Sequence, residues 1–148
     1  MIVSGCSSGG QAVYNWAQYF GDLFPPTVDV MAVPDSGLFL DLKSVYQIRV
    51  FRNYAVKGYF NIVDVESDPI NSECVKANPN EKWKCLMSPY LIDHIKVPLF
   101  FVQSQYDWAS IIGILGLPCA MSEDWNSNSL DNCSVVSKFY IEMHHRKT

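Results

Sequence analysis

The chain opens on a short apolar run that leads into a Gly-x-Ser-x-Gly sequence centred on Ser7. A serine on a sharp turn between a strand and a helix holds its hydroxyl away from the backbone, as the nucleophile of an α/β hydrolase requires. We expect Gly5 and Gly9 to flank this turn because a Cβ at either position would collide with the neighbouring strand or helix. The pattern also fits an ordinary strand-turn-helix joint, since glycine and serine are common in turns.

An acyl-transfer site also needs donors for the oxyanion, a general base and a carboxylate that orients the base. The backbone N–H of Ser8 is the expected oxyanion donor because Ser8 directly follows the nucleophile. Asp107 follows an apolar run that predicts a buried strand, which makes it the expected triad acid. Asp107 also fits a helix N-cap, and Asp35 and Asp41 compete with it for the acid role.

The general base is harder to assign among His94, His144 and His145. α/β hydrolases place the histidine after the acid along the chain, so His94 is out of order, and it falls at a predicted helix end. His144 and His145 are in order but lie beside Arg146 and Lys147 on a polar helix face, which favours a solvated surface. We therefore expect the chain to stop before its catalytic base.

Alternating strand and helix patterns surround these residues. Apolar runs predict strands at the start of the chain, over residues 28–33 with a stop at Pro34, and over residues 99–104. After Ser7, a core-facing helical stripe is predicted by the spacing of four residues: Val13, Trp16, Ala17 and Phe20. Gly21 and the two prolines that follow are expected to end this helix.

Further helices are predicted over residues 46–59, 86–95 and 135–145, with a polar loop over residues 61–84. The order of elements predicts an α/β fold, a mostly parallel sheet with flanking helices.

Length and composition limit the possible classes of protein. The 148 residues are 49% hydrophobic and 18% charged, which indicates a single globular domain over residues 1–148 that is short for a complete α/β hydrolase. The net charge of −4, without a basic stripe, makes nucleic acid and anionic membranes poor partners. No apolar run reaches the length of a membrane span, and no signal peptide is visible. Since no cysteine or histidine pairs have zinc-ligand spacing, we predict no metal and no cofactor.

Five cysteines favour an oxidising compartment. Cys74 and Cys85 bracket one polar loop, and Cys119 and Cys133 bracket another, so two local disulfides are predicted with Cys6 left unpaired. The alternative is five reduced thiols, as a cytosolic serine hydrolase would have. Asn132 begins a formal glycosylation sequon that a disulfide at Cys133 would obstruct.

Five motifs, in this order along nearly the whole chain, together resemble the pectin acetylesterase family, which includes the Notum-type carboxylesterases. They occupy residues 5–10, 35–41, 83–85, 97–100 and 105–107. The resemblance implies an α/β-hydrolase-like fold, secretion and the two disulfide loops. It also implies that Ser7 is the nucleophile, Asp107 the triad acid and Ser8 an oxyanion donor. The segment Asp35-Ser36-Gly37 is then expected to line the substrate cleft.

The resemblance further implies a serine carboxylic-ester hydrolase that removes acetyl groups from a polysaccharide through an acyl-enzyme. Because the family has an oxyanion loop before the elbow and a histidine loop beyond the last predicted helix, we expect this chain to be a partial domain. A protein O-deacylase acting on a fatty acyl ester is the enzyme alternative. An inactive remnant or binding module is the non-enzyme alternative, since a triad without its base loses most of its rate.

Overall fold

Two parallel strands and the helix between them form the centre of the fold. The computed structural model describes residues 1–53, 58, 60, 71–120, 133–134, 137–138 and 141–142. Strand β1 (Ile2–Cys6) leads into helix α1 (Ser8–Leu23), and the chain returns as β2 (Met31–Asp35). Ile2 pairs with Met31 and Cys6 with Asp35, so both strands end at the same edge of the sheet.

A third extended segment, residues 98–102, pairs in parallel with the free side of β2. The Phe100 N–H donates to the Ala32 carbonyl, and the Val102 N–H to the Pro34 carbonyl, both at 2.9 Å. The predicted third strand is therefore present as a partner of β2. Pro34 does not stop β2 as predicted but lies within it. Because proline has no N–H, the ladder lacks one rung there and the third segment forms isolated bridges only.

The two faces of this sheet differ in burial. On one face, Val13 and Ala17 of α1 form a core cluster with β2. On the other, apolar side chains are exposed: Ile2, Met31, Phe100 and Val102. The prediction of a buried third strand is wrong, because no layer among the described residues covers this second face. The flanking helix and parallel pairing nevertheless confirm the α/β class.

The core stripe of α1 differs from the predicted one at a single position. Val13 and Ala17 are buried and Phe20 packs against their cluster, but Trp16 is 40% exposed. Tyr14 is buried instead, in a second cluster with Cys74, Cys85 and Leu91. Gly21 lies within the helix, which ends at Leu23 because Phe24 precedes a proline and is held in an extended conformation.

Short helices lie within residues 71–84, the described part of the predicted loop, and replace the single helix predicted over residues 86–95. The first part of that loop, residues 61–70, lies outside the described residues. Helix α2 (Ser72–Ala77) begins after Asn71, whose side chain accepts a hydrogen bond from the Cys74 N–H at 3.0 Å. Helix α3 (Ser88–Leu91) lies between two 3₁₀ turns, Lys82–Leu86 and Ile92–His94. The cap at Asn71 favours a helix in a stretch whose polar composition favoured a loop.

The later part of the chain builds a separate core. A π-helical turn spans Ser110–Ile114 and a 3₁₀ turn Pro118–Ala120. Their apolar residues pack with Cys133 and Ile141. Of the final helix predicted over residues 135–145, the described positions 137–138 and 141–142 are helical. The rest of that prediction lies outside the described residues, and so do Asn132, His144 and His145. The same holds for most of the predicted helix over residues 46–59, of which residues 50–53 are helical. None of the helices in the described ranges is long and apolar enough to cross a membrane.

Both predicted disulfides are present. Cys74 bonds to Cys85 and Cys119 to Cys133, while Cys6 is free and exposed. The first bridge is fully buried against Tyr14 of α1, so it joins the α2 region to the central helix.

The buried bridge predicts a measurable loss of stability on its removal. Closing a loop of 11 residues stabilises the folded chain by about 3 kcal/mol in the chain-entropy model. We expect the double variant Cys74→Ala/Cys85→Ala to lose roughly that free energy of unfolding in urea denaturation, and Cys6→Ser, at an exposed free thiol, to lose almost none. Equal stability of the double variant and the wild type would contradict a structural role for this bridge.

Candidate active site

Ser7 lies on a strained turn between β1 and α1. Its φ of 57° and ψ of −119° put a residue with a side chain in a region that costs on the order of 1–3 kcal/mol. Two backbone hydrogen bonds hold it there: the Ser7 N–H donates to the Asp35 carbonyl at 2.9 Å, and the Gln11 N–H donates to the Ser7 carbonyl at 3.0 Å. A serine in this strained strand-to-helix turn is the geometry of a nucleophile elbow.

The turn requires glycine at Gly5 and Gly10. A Cβ on Gly5 would lie 2.6 Å from the Gly9 carbonyl oxygen, and one on Gly10 would lie 2.4 Å from the Asp35 carbonyl oxygen. The prediction for Gly5 is therefore confirmed. The prediction for Gly9 is wrong, since a Cβ there meets no atom within 4 Å. The helical residue that lies against the loop after β2 is the next one, Gly10.

The amino end of α1 is open toward Ser7. The Ser7 side chain forms no capping hydrogen bond, and the first turn carries no acidic residue. The N–H groups of the first turn have no acceptor within the helix, and the helix dipole adds positive potential there. Ser8 is the first residue of this turn, so its position suits the oxyanion role, which stays a prediction.

The segment after β2 lies directly beside the elbow. Asp35 pairs with Cys6 in the sheet, and a Cβ on Gly37 would overlap the backbone of Gly10 at 2.3 Å. Ser36 has a positive φ of 52°, donates its N–H to the Val102 carbonyl at 2.7 Å and its hydroxyl to the Asp35 carboxylate at 2.8 Å. The structure thus brings Ser7 and the predicted cleft residues together.

Ser88 and Gln11 fix this segment on the helix. The buried Ser88 hydroxyl donates to the Gly37 carbonyl and accepts from the Phe39 N–H, each at 3.1 Å. The Gln11 side-chain amide accepts from the Ser88 N–H at 3.3 Å and donates to the Leu86 carbonyl at 3.0 Å. Sequence reasoning missed both residues, because a serine before a proline and a glutamine on a helix carry no signal for contacts about 50 and 75 positions away.

Asp41 belongs to an ionic cluster rather than to a triad. Its side chain is only 4% exposed and lies 3.2 Å from an Arg49 nitrogen, with Arg52 also ion-paired to it. The Tyr90 hydroxyl donates to it at 2.7 Å, and the Arg52 guanidinium stacks 4.4 Å from the centre of the Trp83 ring. Burial raises the pKa of Asp41, but the hydrogen bonds from Tyr90, Arg52 and Arg49 outweigh it and hold the pKa below its usual value.

Asp107 comes a few residues after the segment that pairs with β2. Its carboxylate accepts a hydrogen bond from the Ser110 N–H at 2.7 Å, so it makes the capping contact that was its alternative interpretation. This contact occupies one carboxylate oxygen, Oδ2. The role of triad acid stays a prediction. His94 lies elsewhere, in a groove with Gln18 and Asp22 of α1.

Comparisons with known proteins identify relatives of this chain. The pectinacetylesterase family model matches residues 1–148. Pectin acetylesterase 5 of Arabidopsis thaliana is 30% identical over 117 residues, which cover 77% of this chain and 26% of the relative. The palmitoleoyl-protein carboxylesterase NOTUM of Drosophila melanogaster is 29% identical over 150 residues, with 92% of this chain and 22% of the relative covered.

A crystal structure of the Wnt deacylase Notum from Drosophila shares the fold, with a TM-score of 0.74 at 23% sequence identity. The match covers 99% of this chain and 39% of the Notum chain. This chain spans 22–34% of the length of three curated relatives that it matches.

Gly10 provides a test of the elbow packing. We expect Gly10→Ala to lower the free energy of unfolding by about 1–3 kcal/mol, because the new Cβ forces the Asp35 carbonyl and the elbow helix apart. Gly9→Ala is the matched control, and it should be neutral or slightly stabilising because alanine suits a helix better than glycine. Chemical denaturation of both variants measures the difference. Equal effects at the two positions would contradict the close approach.

The Asp41 cluster predicts a dependence of stability on pH. Because the folded pKa lies below the ordinary value of 3.8, the contribution of Asp41 is complete above that value and is lost as the pH falls through the folded pKa. We expect the free energy of unfolding to fall below about pH 5, and the fall to be smaller in Asp41→Asn. A profile unchanged by Asp41→Asn would contradict the prediction.

Proposed function

Because this chain belongs to the pectin acetylesterase family, we propose that it carries the nucleophile of a serine carboxylic-ester hydrolase. The strained backbone of Ser7, at the junction of β1 and α1, is the observation that carries the proposal. A turn that costs free energy persists where the surrounding contacts hold it and where the exposed side chain has a use. A turn that needs a positive φ and has no other role usually has glycine or asparagine at that position.

In the proposed reaction, the Ser7 hydroxyl oxygen attacks the ester carbonyl carbon and gives up its proton to a general base. The Ser8 N–H, at the open end of α1, donates to the oxyanion that forms. Collapse of the tetrahedral intermediate releases the alcohol, which takes the proton, and leaves an acyl group on Ser7. Water then hydrolyses this ester and restores the serine.

The proposal assigns different tasks to two carboxylates, Asp107 and Asp35. Asp107 orients the histidine that acts as base, through the carboxylate oxygen that does not cap the Ser110 turn. We assign no role as base to His94, which lies in a groove with the carboxyl-terminal half of α1. Asp35 and Ser36 line the cleft with a carboxylate and a hydroxyl, groups that suit the hydroxyls of a sugar better than an alkyl chain.

An acetylated polysaccharide is therefore the proposed substrate. A protein carrying a fatty acyl ester is the second candidate, and the structural likeness to the Wnt deacylase Notum supports it. A secreted location is proposed with either substrate, since disulfides persist in oxidising compartments.

Labelling with a fluorophosphonate probe tests the nucleophile. We expect the wild-type chain to be labelled and Ser7→Ala to be unlabelled, because the probe reacts with activated serines. Ser8→Ala is the matched control: it keeps its backbone N–H and should still be labelled. The labelling is repeated with added imidazole, which supplies a general base, because His94 lies in a groove away from Ser7. A folded chain that is not labelled with or without imidazole, or one labelled equally in Ser7→Ala, would contradict the proposal.

The acyl chain is tested separately with 4-nitrophenyl acetate and 4-nitrophenyl palmitate under the same conditions. A higher kcat/KM for the acetate supports the polysaccharide deacetylase. A higher kcat/KM for the palmitate supports the protein deacylase instead.

A further inference from the structure

Gln103 joins the cleft segment after β2 to the part of the chain that carries Asp107. Its side-chain Oε1 accepts a hydrogen bond from the Leu38 N–H at 3.0 Å, across 65 positions of sequence. Gln103 directly follows Val102, which forms a parallel bridge with Asp35 at the end of β2. The side chain therefore continues the pairing between these two segments beyond their last backbone bridge.

The backbone over residues 36–39 is held from two sides. Ser88 binds the backbone at positions 37 and 39. The N–H groups at positions 36 and 38 have other partners, the Val102 carbonyl at 2.7 Å and the Gln103 side chain. Each of these four residues thus has one backbone group fixed by a distant part of the chain. Because Leu38 is buried, its N–H would be left unsatisfied if the acceptor on Gln103 were removed.

A short, hydrogen-bonded stretch connects Gln103 to the predicted triad acid, Asp107. Within it, the Tyr106 N–H donates to the Ser104 hydroxyl at 3.2 Å. Asp107 follows at once, and its carboxylate accepts from the Ser110 N–H at 2.7 Å. This connection limits how far Asp107 can move relative to Gln103. The side-chain contact of Gln103 thus fixes the cleft segment and the Asp107 turn relative to one another.

The amide nitrogen of Gln103 is an unfavourable feature of this arrangement. Nε2 is buried and has no hydrogen-bond partner among the described residues. A buried donor without an acceptor lowers the stability of the folded state. Methionine, which is also unbranched and flexible, would fill this space without such a donor. What glutamine contributes here is therefore the acceptor Oε1, which holds the Leu38 N–H.

We propose that Gln103 is a positioning residue for the esterase reaction. Through the Leu38 N–H, it holds residues 35–37 where they meet a ligand bound at Ser7. It also keeps this segment in register with the turn that carries Asp107. The role in the reaction rests on the proposed function, whereas the hydrogen bond to Leu38 does not. A positioning role predicts that removal of Oε1 weakens ligand binding while the stability of the chain hardly changes.

Gln103→Met tests the hydrogen bond without any catalysis, and Gln105→Met, the same change at an exposed side chain, is the matched control. Deuterium exchange of the Leu38 amide, followed by NMR, should be about tenfold faster in Gln103→Met. The Ala32 amide in β2 should exchange at the wild-type rate. The midpoint of urea unfolding should stay within about 0.5 M of the wild type, because removal of the buried donor offsets the lost bond. Gln105→Met should match the wild type in each measurement.

The effect on the reaction is measured by labelling Ser7 at a series of fluorophosphonate concentrations, with imidazole added. In Gln103→Met we expect the probe concentration that gives the half-maximal labelling rate to rise about fivefold. The maximal rate should stay within about twofold of the wild type, because binding weakens while the chemistry at Ser7 is unchanged. Gln105→Met should again behave as the wild type does.

Gln103→Glu separates the two ends of the amide. The carboxyl group keeps an oxygen that accepts from the Leu38 N–H, but it lacks the amide nitrogen. We expect exchange of the Leu38 amide to stay within about twofold of the wild-type rate. Exchange as fast as in Gln103→Met would overturn the role of Oε1 as the acceptor that holds the segment.

Three further results would overturn the inference. These are unchanged exchange at Leu38 in Gln103→Met, unchanged labelling of Ser7 despite faster exchange, and a large fall in the urea midpoint, which would indicate a purely structural role. A wild-type chain that is folded but never labelled would refute the proposed function instead. Because exchange at Leu38 needs no reaction, it would still decide whether Gln103 holds the segment.

Discussion

The close approach of two backbones, at Gly10 on α1 and Gly37 after β2, is the constraint on which the rest of the site depends. There is no room for a Cβ on either residue. The contact brings the first turn of the helix against the carboxyl end of the neighbouring strand, where the Asp35 carbonyl accepts the Ser7 N–H. The positive φ of Ser7 follows, since the chain must leave β1 and enter α1 within one residue. Close packing thus produces both the strain and the exposure of the hydroxyl.

The surrounding polar contacts maintain this approach. Ser88 holds the loop after β2 through two hydrogen bonds, and Gln11 joins Ser88 to the elbow helix. Farther out, Asp41 connects the same loop to Tyr90 and to a guanidinium stacked on Trp83. Removing one of these side chains would leave its buried hydrogen-bond partners unsatisfied, at a cost of about 1–3 kcal/mol. The free energy that strains Ser7 is therefore supplied by the packing around it.

Local patterns predicted the elements that depend on neighbours in sequence. Three such predictions are confirmed: the turn at Ser7, the helix after it and the two disulfide loops. Residues close in sequence define each of these elements. The errors concern contacts between distant segments. Gly10 rather than Gly9 meets the loop, and Trp16 is exposed while Tyr14 is buried, since the partner of each helix face is set by tertiary packing. Ser88 and Arg52 carry no sequence signal for their roles. The family resemblance added the cleft segment and supported Asp107, which its place after a predicted strand had already suggested as the triad acid.

The measurement that tests the central claim most directly is peptide mapping by mass spectrometry after brief incubation with 4-nitrophenyl acetate and an acid quench. The account predicts one added acetyl group on the peptide that contains Ser7, and no acetyl group on the corresponding peptide of the Ser7→Ala chain. Acetylation confined to other residues of a folded chain, or present to the same extent in Ser7→Ala, would contradict the assignment of Ser7 as the nucleophile.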